Sequence, residues 1–155
     1  MNKLLKVAAI LALTTGVSFA QETPVELGPN GGRLLVFNRG KTMLGEATVQ
    51  EGQLHLQLLD AEKKPVPLDQ HSMEVWGGER MHPEELPVEK KDGRFVAPIP
   101  VGEDIWFMFK MKPNPSSKPY RARLYYNTAA CPECDKPMWL CECTAKKAPA
   151  AEPPK

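Results

Sequence analysis

Hydrophobic and polar residues alternate in three segments of the chain. In residues 53–59, QLHLQLL, leucine occupies every second position, and the same period of two recurs in residues 104–111 and 120–126. Successive side chains of a β-strand point to opposite faces, so this period is typical of half-buried strands. We expect the apolar faces of the three segments to share one core, made of Leu54, Leu56, Leu58, Ile105, Phe107, Phe109 and Leu124.

Turn signals separate these segments from shorter strand candidates. Glu51-Gly52 and Asp92-Gly93 each lie between two such runs, where a two-residue hairpin turn favours this type of pair. No segment keeps a period of 3.6 residues, so no amphipathic helix is predicted. Seven or eight short strands in about a hundred residues indicate an all-β fold, a small antiparallel sandwich or barrel, and we favour the sandwich. The shorter strand candidates are residues 33–37, 45–50, 72–76, 87–91 and 94–98.

The first twenty residues have the three-part pattern of a secretory signal peptide. Lys3 and Lys6 precede an apolar run from Val7 to Val17, and small residues lead to a cleavage point between Ala20 and Gln21. The apolar run is too short to span a bilayer, and no later stretch is long and apolar enough to do so. We therefore expect a mature protein that is periplasmic or secreted, with no transmembrane segment.

Charge gives no reason to expect a nucleic-acid partner. The chain has 20 Lys and Arg residues against 19 Asp and Glu, and removal of Lys3 and Lys6 leaves 18 against 19, a net charge of −1. A near-neutral balance does not attract a polyanion. The remaining 135 of the 155 residues are enough for one domain with its own core.

All four cysteines of the chain lie within thirteen residues, CPECDKPMWLCEC, at positions 131, 134, 141 and 143. A CxxC pair can direct two thiolates at one ion from a short turn, and Cys141 and Cys143 form a second close pair. The spacing predicts a metal site whose ligands are Cys131, Cys134, Cys141 and Cys143. Zinc is the favoured ion, and soft thiolates also suit Cu(I) or Cd(II).

Two other interpretations of the cysteine spacing remain open. In an oxidising compartment four cysteines are an ordinary disulfide set, and two bridges would staple the segment that follows the last strand without any ligand. A thiol–disulfide oxidoreductase would need its CxxC at the start of a helix in a βαβ unit, which this chain lacks. The disulfide staple is therefore the main alternative to the metal site.

Further metal ligands and catalytic groups have weaker support. His55 alternates away from the leucine face, His71 lies near Met73, and Met81-His82 belongs to a segment that we expect to be a proline-bounded loop. No serine has a nucleophile-elbow context and no glycine-rich phosphate loop precedes a helix. We expect a protein that is not an enzyme.

Two short motifs carry a resemblance to a known family. GPNGGRLLVF at residues 28–37 and LHLQLLDAEKKPVPL at residues 54–68 resemble the small periplasmic β-domains of heavy-metal efflux systems, which also form the N-terminal domain of efflux adaptor subunits. The family opens with Gly-Pro-His-Gly-Gly, and Asn30 replaces that histidine here. The resemblance implies a metal-efflux pump or adaptor subunit as partner, but a metal-binding role of the histidine would not transfer to Asn30.

These observations combine into one expected organisation. A signal peptide covers residues 1–20, a β-sandwich domain residues 21–127, a Cys-rich CxxC-x6-CxC segment residues 128–144, and a solvated, disordered tail residues 145–155. The expected function is a soft-metal-binding accessory protein, as chaperone, sensor or efflux-associated module. The alternative is a non-catalytic interaction or structural domain, stapled by two disulfides, that binds no metal.

Overall fold

Nine antiparallel β-strands dominate the computed structural model, which describes residues 25–143. The expected signal peptide and tail lie outside the described residues. No helix among residues 25–143 is long and apolar enough to cross a membrane. The strands are β1 (Arg33–Val36), β2 (Leu44–Gln50), β3 (Gln53–Leu59), β4 (Ser72–Glu79), β5 (His82–Leu86), β6 (Glu89–Lys91), β7 (Arg94–Pro98), β8 (Asp104–Lys112) and β9 (Tyr120–Asn127), and a single 3-10 turn, η1, covers Met138–Leu140.

Two sheets divide the strands between them. The first has the order β1-β2-β3-β7-β6 and the second has the order β5-β4-β8-β9. Every pairing is antiparallel. The predicted all-β sandwich, followed by a cysteine-rich segment, is confirmed.

The core lies between the two sheets and contains the residues that the alternation predicted. Leu54, Leu56 and Leu58 of β3 are at most 2 % exposed, and Phe107 and Phe109 of β8 at most 1 %. Burying these side chains is the main favourable term that holds the sheets together, at about 1.5–3 kcal/mol each. All seven predicted core residues belong to one buried cluster: Leu54, Leu56, Leu58, Ile105, Phe107, Phe109 and Leu124.

Both predicted hairpin turns are present. Glu51 and Gly52 connect β2 to β3 with φ angles of 52° and 73°, and Asp92 and Gly93 connect β6 to β7 with φ angles of 51° and 72°. Two successive positive φ angles match the right-handed twist of the flanking strands, which is why an acidic residue followed by glycine suits these positions.

The proline-bounded loop expected around Met81-His82 is wrong, because His82–Leu86 forms strand β5. The strand pairs only with β4, and the first four of its five residues are exposed. A strand with one partner tolerates Pro83, since its missing N–H can face solvent. Because such a strand has no buried face that imposes alternation, residues 82–86 show no period of two.

The GPNGG motif closes over a buried carboxylate. Glu46 of β2 is 1 % exposed and accepts hydrogen bonds from the backbone N–H of Asn30 (2.7 Å), from Asn30 Nδ2 (2.8 Å) and from the backbone N–H of Gly32 (2.9 Å). A Cβ on Gly28 would lie 2.5 Å from Glu46 Cδ, so only glycine fits there. Asn30 lies in the turn of this motif, and its side chain supplies one of the hydrogen bonds that the buried Glu46 carboxylate needs.

Candidate metal centre

The cysteine segment begins with a small hairpin directly after β9. The backbone N–H of Cys131 donates to the carbonyl of Lys136 (2.8 Å), and that of Met138 donates to the carbonyl of Ala129 (2.9 Å). The turn between them contains Cys131 and Cys134, and Asp135 closes it with a φ of 58°. Asp is among the residues that tolerate this left-handed conformation, so it replaces the glycine usual at such a position.

Trp139 anchors the cysteine segment to the sandwich. It is 7 % exposed, belongs to the main core cluster, and packs on Tyr126 of β9 with ring centroids 5.1 Å apart. Arg33 of β1 donates from Nη1 to the Trp139 carbonyl at 3.4 Å, so η1 contacts edge strands of both sheets. Burial lowers the pKa of the Arg33 guanidinium. The segment is therefore packed against the fold rather than loosely attached to it.

All four thiols converge on one point. Their sulfur atoms lie within 4.8 Å of one another, with Cys141 Sγ 3.2 Å from Cys131 Sγ and 3.7 Å from Cys134 Sγ. Four sulfurs bonded at 2.3 Å to one tetrahedral ion would be about 3.8 Å apart. The observed separations therefore approach those of a four-thiolate site. No disulfide joins any of the four cysteines.

The two halves of the cluster differ in exposure. Cys131 and Cys141 are buried, at 4 % and 3 % exposure, whereas Cys134 is exposed and Cys143 is half-buried. Each pair therefore contributes one buried and one more accessible sulfur, and η1 lies between the two pairs. An ion at this point would be reachable from solvent on the side of Cys134.

Hydrogen bonding separates the pKa values of the thiols. The backbone N–H of Glu133 and the thiol of Cys141 lower the pKa of Cys131 to about 7, because both stabilise its thiolate. The thiol groups of Cys134 and Cys141 raise the pKa of Cys143 to about 12. The pKa of Cys141 is also raised, chiefly by its hydrogen bond with the Cys131 thiol. One thiolate is thus favoured near neutral pH, while Cys141 and Cys143 hold protons that a metal ion would displace.

The cysteines are the only group of three or more His, Cys, Asp or Glu side chains within residues 25–143 that is arranged to hold an ion. His55, His71 and His82 do not join such a group among these residues. His71 leaves its Nδ1 buried and without a hydrogen-bond partner in the described structure. The structure therefore brings together the four predicted ligands and none of the weaker candidates.

The sequence did not predict the role of three residues that position the cysteine site. Trp139 supplies the anchor, Arg33 holds its carbonyl, and Asp135 forms the left-handed turn. The only signal for Trp139 was a large aromatic residue between two cysteine pairs. Arg33 carries no local signal, because its contact lies 106 residues away along the chain.

Comparison with known proteins finds no matching family model, curated protein or solved structure.

Proposed function

We propose that this protein binds one soft metal ion through Cys131, Cys134, Cys141 and Cys143. The observation that carries the proposal is the convergence of four unbridged sulfur atoms within 4.8 Å. Thiolates favour Zn(II), Cu(I) and Cd(II) over hard cations, and four of them at tetrahedral separations suit Zn(II) in particular. The four cysteines would be the whole ligand set.

The exposure of the sulfurs favours a transfer or sensing role over a purely structural one. Two buried thiols fix the position of the ion, while Cys134 leaves one side open to solvent and to an exchanging ligand. A metal ion passes between thiolate sites when an incoming ligand replaces one of its sulfurs. An open side at an accessible sulfur therefore allows the ion to be loaded and released. Metal chaperone, sensor and efflux accessory all require this property.

Sequence features support the cellular setting that we propose for this site. The signal-like N-terminus supports a periplasmic location, and the GPNGG and LHLQLLDAEKKPVPL motifs support a metal-efflux pump or adaptor subunit as partner. We propose a non-enzymatic accessory protein of such a system. Export of the chain in a bacterial cell, followed by fractionation, tests the location separately from metal binding.

A disulfide-stapled domain is the second candidate, and one distance favours it. The Sγ atoms of Cys131 and Cys141 lie 3.2 Å apart and both are buried, so oxidation of this pair needs little movement. Cys134 and Cys143 would then form the other bridge. In this case the protein would bind no metal and the segment would only reinforce the fold.

Titration of the reduced, metal-free protein with Co(II), and displacement of Co(II) by Zn(II), separates these candidates. The metal proposal expects one ion per chain and the absorption of a tetrahedral four-thiolate complex. Cys134→Ser should weaken binding and change the spectrum, whereas Ser72→Ala, at an exposed position of β4, should change neither. Absence of a thiolate-to-metal band in the reduced protein would remove the proposal.

A further inference from the structure

A cavity of about 280 Å³ lies on the outer face of the sheet that contains β4, β5, β8 and β9. Gly78 of β4 pairs with Pro83 on one side and with Trp106 on the other, and both partners line the cavity. Its lining includes Arg80, Met81, Trp106, Met108 and Arg123.

Aromatic and guanidinium groups form a row beside this cavity. The Trp106 ring stacks on Tyr125 with centroids 4.8 Å apart, and Arg80 Cζ lies 5.1 Å from the centre of the Trp106 ring. Tyr125 is itself held by a 2.7 Å hydrogen bond from its hydroxyl group to Asp104. These contacts orient Trp106 and Arg80 before any partner arrives, which reduces the entropy lost on binding.

Large apolar side chains are exposed around the row. Met81 is 80 % exposed and Tyr125 is 41 % exposed, and they are two of the five large hydrophobic residues that the structure leaves exposed within residues 25–143. Trp, Tyr, Met and Arg are the residue types enriched at the centres of protein interfaces. A cavity near the lower limit for small-molecule sites, extended by exposed apolar groups, fits one or two side chains of a peptide.

The charges of the surface select the partner. Arg80 and Arg123 are the only charged residues in the lining, and the guanidinium group of neither forms an ion pair or a hydrogen bond within residues 25–143. Asp104 of β8 already accepts hydrogen bonds from Tyr125 and Asn127. Two unpaired guanidinium groups favour carboxylates, which they can bind through two hydrogen bonds each.

We propose that this face, the Arg80–Arg123 surface, docks an acidic peptide segment of another protein. An apolar side chain of that segment enters the cavity beside Met81 and Met108, and a neighbouring carboxylate pairs with Arg80 or Arg123. The interaction is separate from the cysteine site and does not depend on metal. It gives the protein a means to recognise a partner while the thiols remain accessible.

Selection of peptides on the purified, reduced protein tests the proposal. A phage-displayed library of random heptapeptides is first depleted on the Arg80→Glu variant and then selected on the parent. Peptides that combine Asp or Glu with an apolar residue should be enriched. The consensus peptide, made synthetically, should shift the indole N–H resonance of Trp106 in a saturable titration followed by NMR.

Charge-matched variants and an amide analogue decide the outcome. Arg80→Glu and Arg123→Glu should each weaken the peptide about tenfold or more, whereas Arg39→Glu, with the same charge change in an exposed turn far along the chain, should not. The analogue with Asn and Gln in place of the acids should bind equally weakly to all forms. Enrichment without acidic residues, equal binding of the amide analogue, or an equal loss in Arg39→Glu would overturn the proposal.

Discussion

Replacement of Trp139 by alanine tests whether the cysteine segment is part of the folded core. Trp139 is 7 % exposed, packs against Tyr126 and has its carbonyl bound by Arg33. Truncation of a buried tryptophan to alanine costs about 3–5 kcal/mol, through lost apolar contact and the cavity left behind. Since a domain of this kind is stable by only about 5–15 kcal/mol, this loss is a large share of the total.

Urea denaturation of the reduced protein, with metal removed by a chelator, measures that cost. Trp76→Ala is the control, because Trp76 is half-exposed on the outer face of β4 and should cost about 1 kcal/mol or less. Trp139→Phe should recover much of the loss. A free energy of unfolding that falls by less than about 1 kcal/mol in Trp139→Ala, or by no more than in Trp76→Ala, would show that the segment is not anchored as described.

Other predictions follow from the Glu46 loop and from the thiols. Gly28→Ala places a Cβ 2.5 Å from Glu46 Cδ and should lower the free energy of unfolding by about 1–3 kcal/mol. Gly40→Ala, whose nearest contact would be 3.8 Å, should leave it nearly unchanged in the same urea titration. Metal affinity should rise with pH, since zinc must displace a proton from Cys143, whose pKa is about 12. Competition with a chromophoric chelator at several pH values measures this affinity, and an affinity that does not change with pH would contradict the prediction. In the metal-free reduced protein, iodoacetamide should label the exposed Cys134 before the buried Cys141, as peptide mass spectrometry would show, and the reverse order would contradict the described burial.

Hydrophobic alternation was enough to predict the sandwich and its core. A strand with one buried face must repeat its apolar residues at every second position, and Leu54, Leu56 and Leu58 do so without interruption. Strand β5 escaped prediction because it is an edge strand without a buried face. Its place is decided by pairing with β4, which no local pattern encodes.

The cysteine site shows a similar division between local and distant information. The spacing of Cys131 and Cys134 predicted a close pair, since a two-residue separation allows both sulfurs to face one point. The contact of Trp139 with Tyr126 and Arg33 depends on where the chain leaves β9 at the edge of the sandwich. Spacing along the sequence carries no information on such a contact.

Native mass spectrometry of the protein isolated from its own compartment, without added metal or reductant, shows whether the four cysteines hold an ion or form disulfides. We expect one soft metal ion per chain and four thiols that become open to alkylation only after the ion is removed. A metal-free mass lower by four hydrogen atoms, with no thiol to alkylate, would show two disulfides and rule out the metal site.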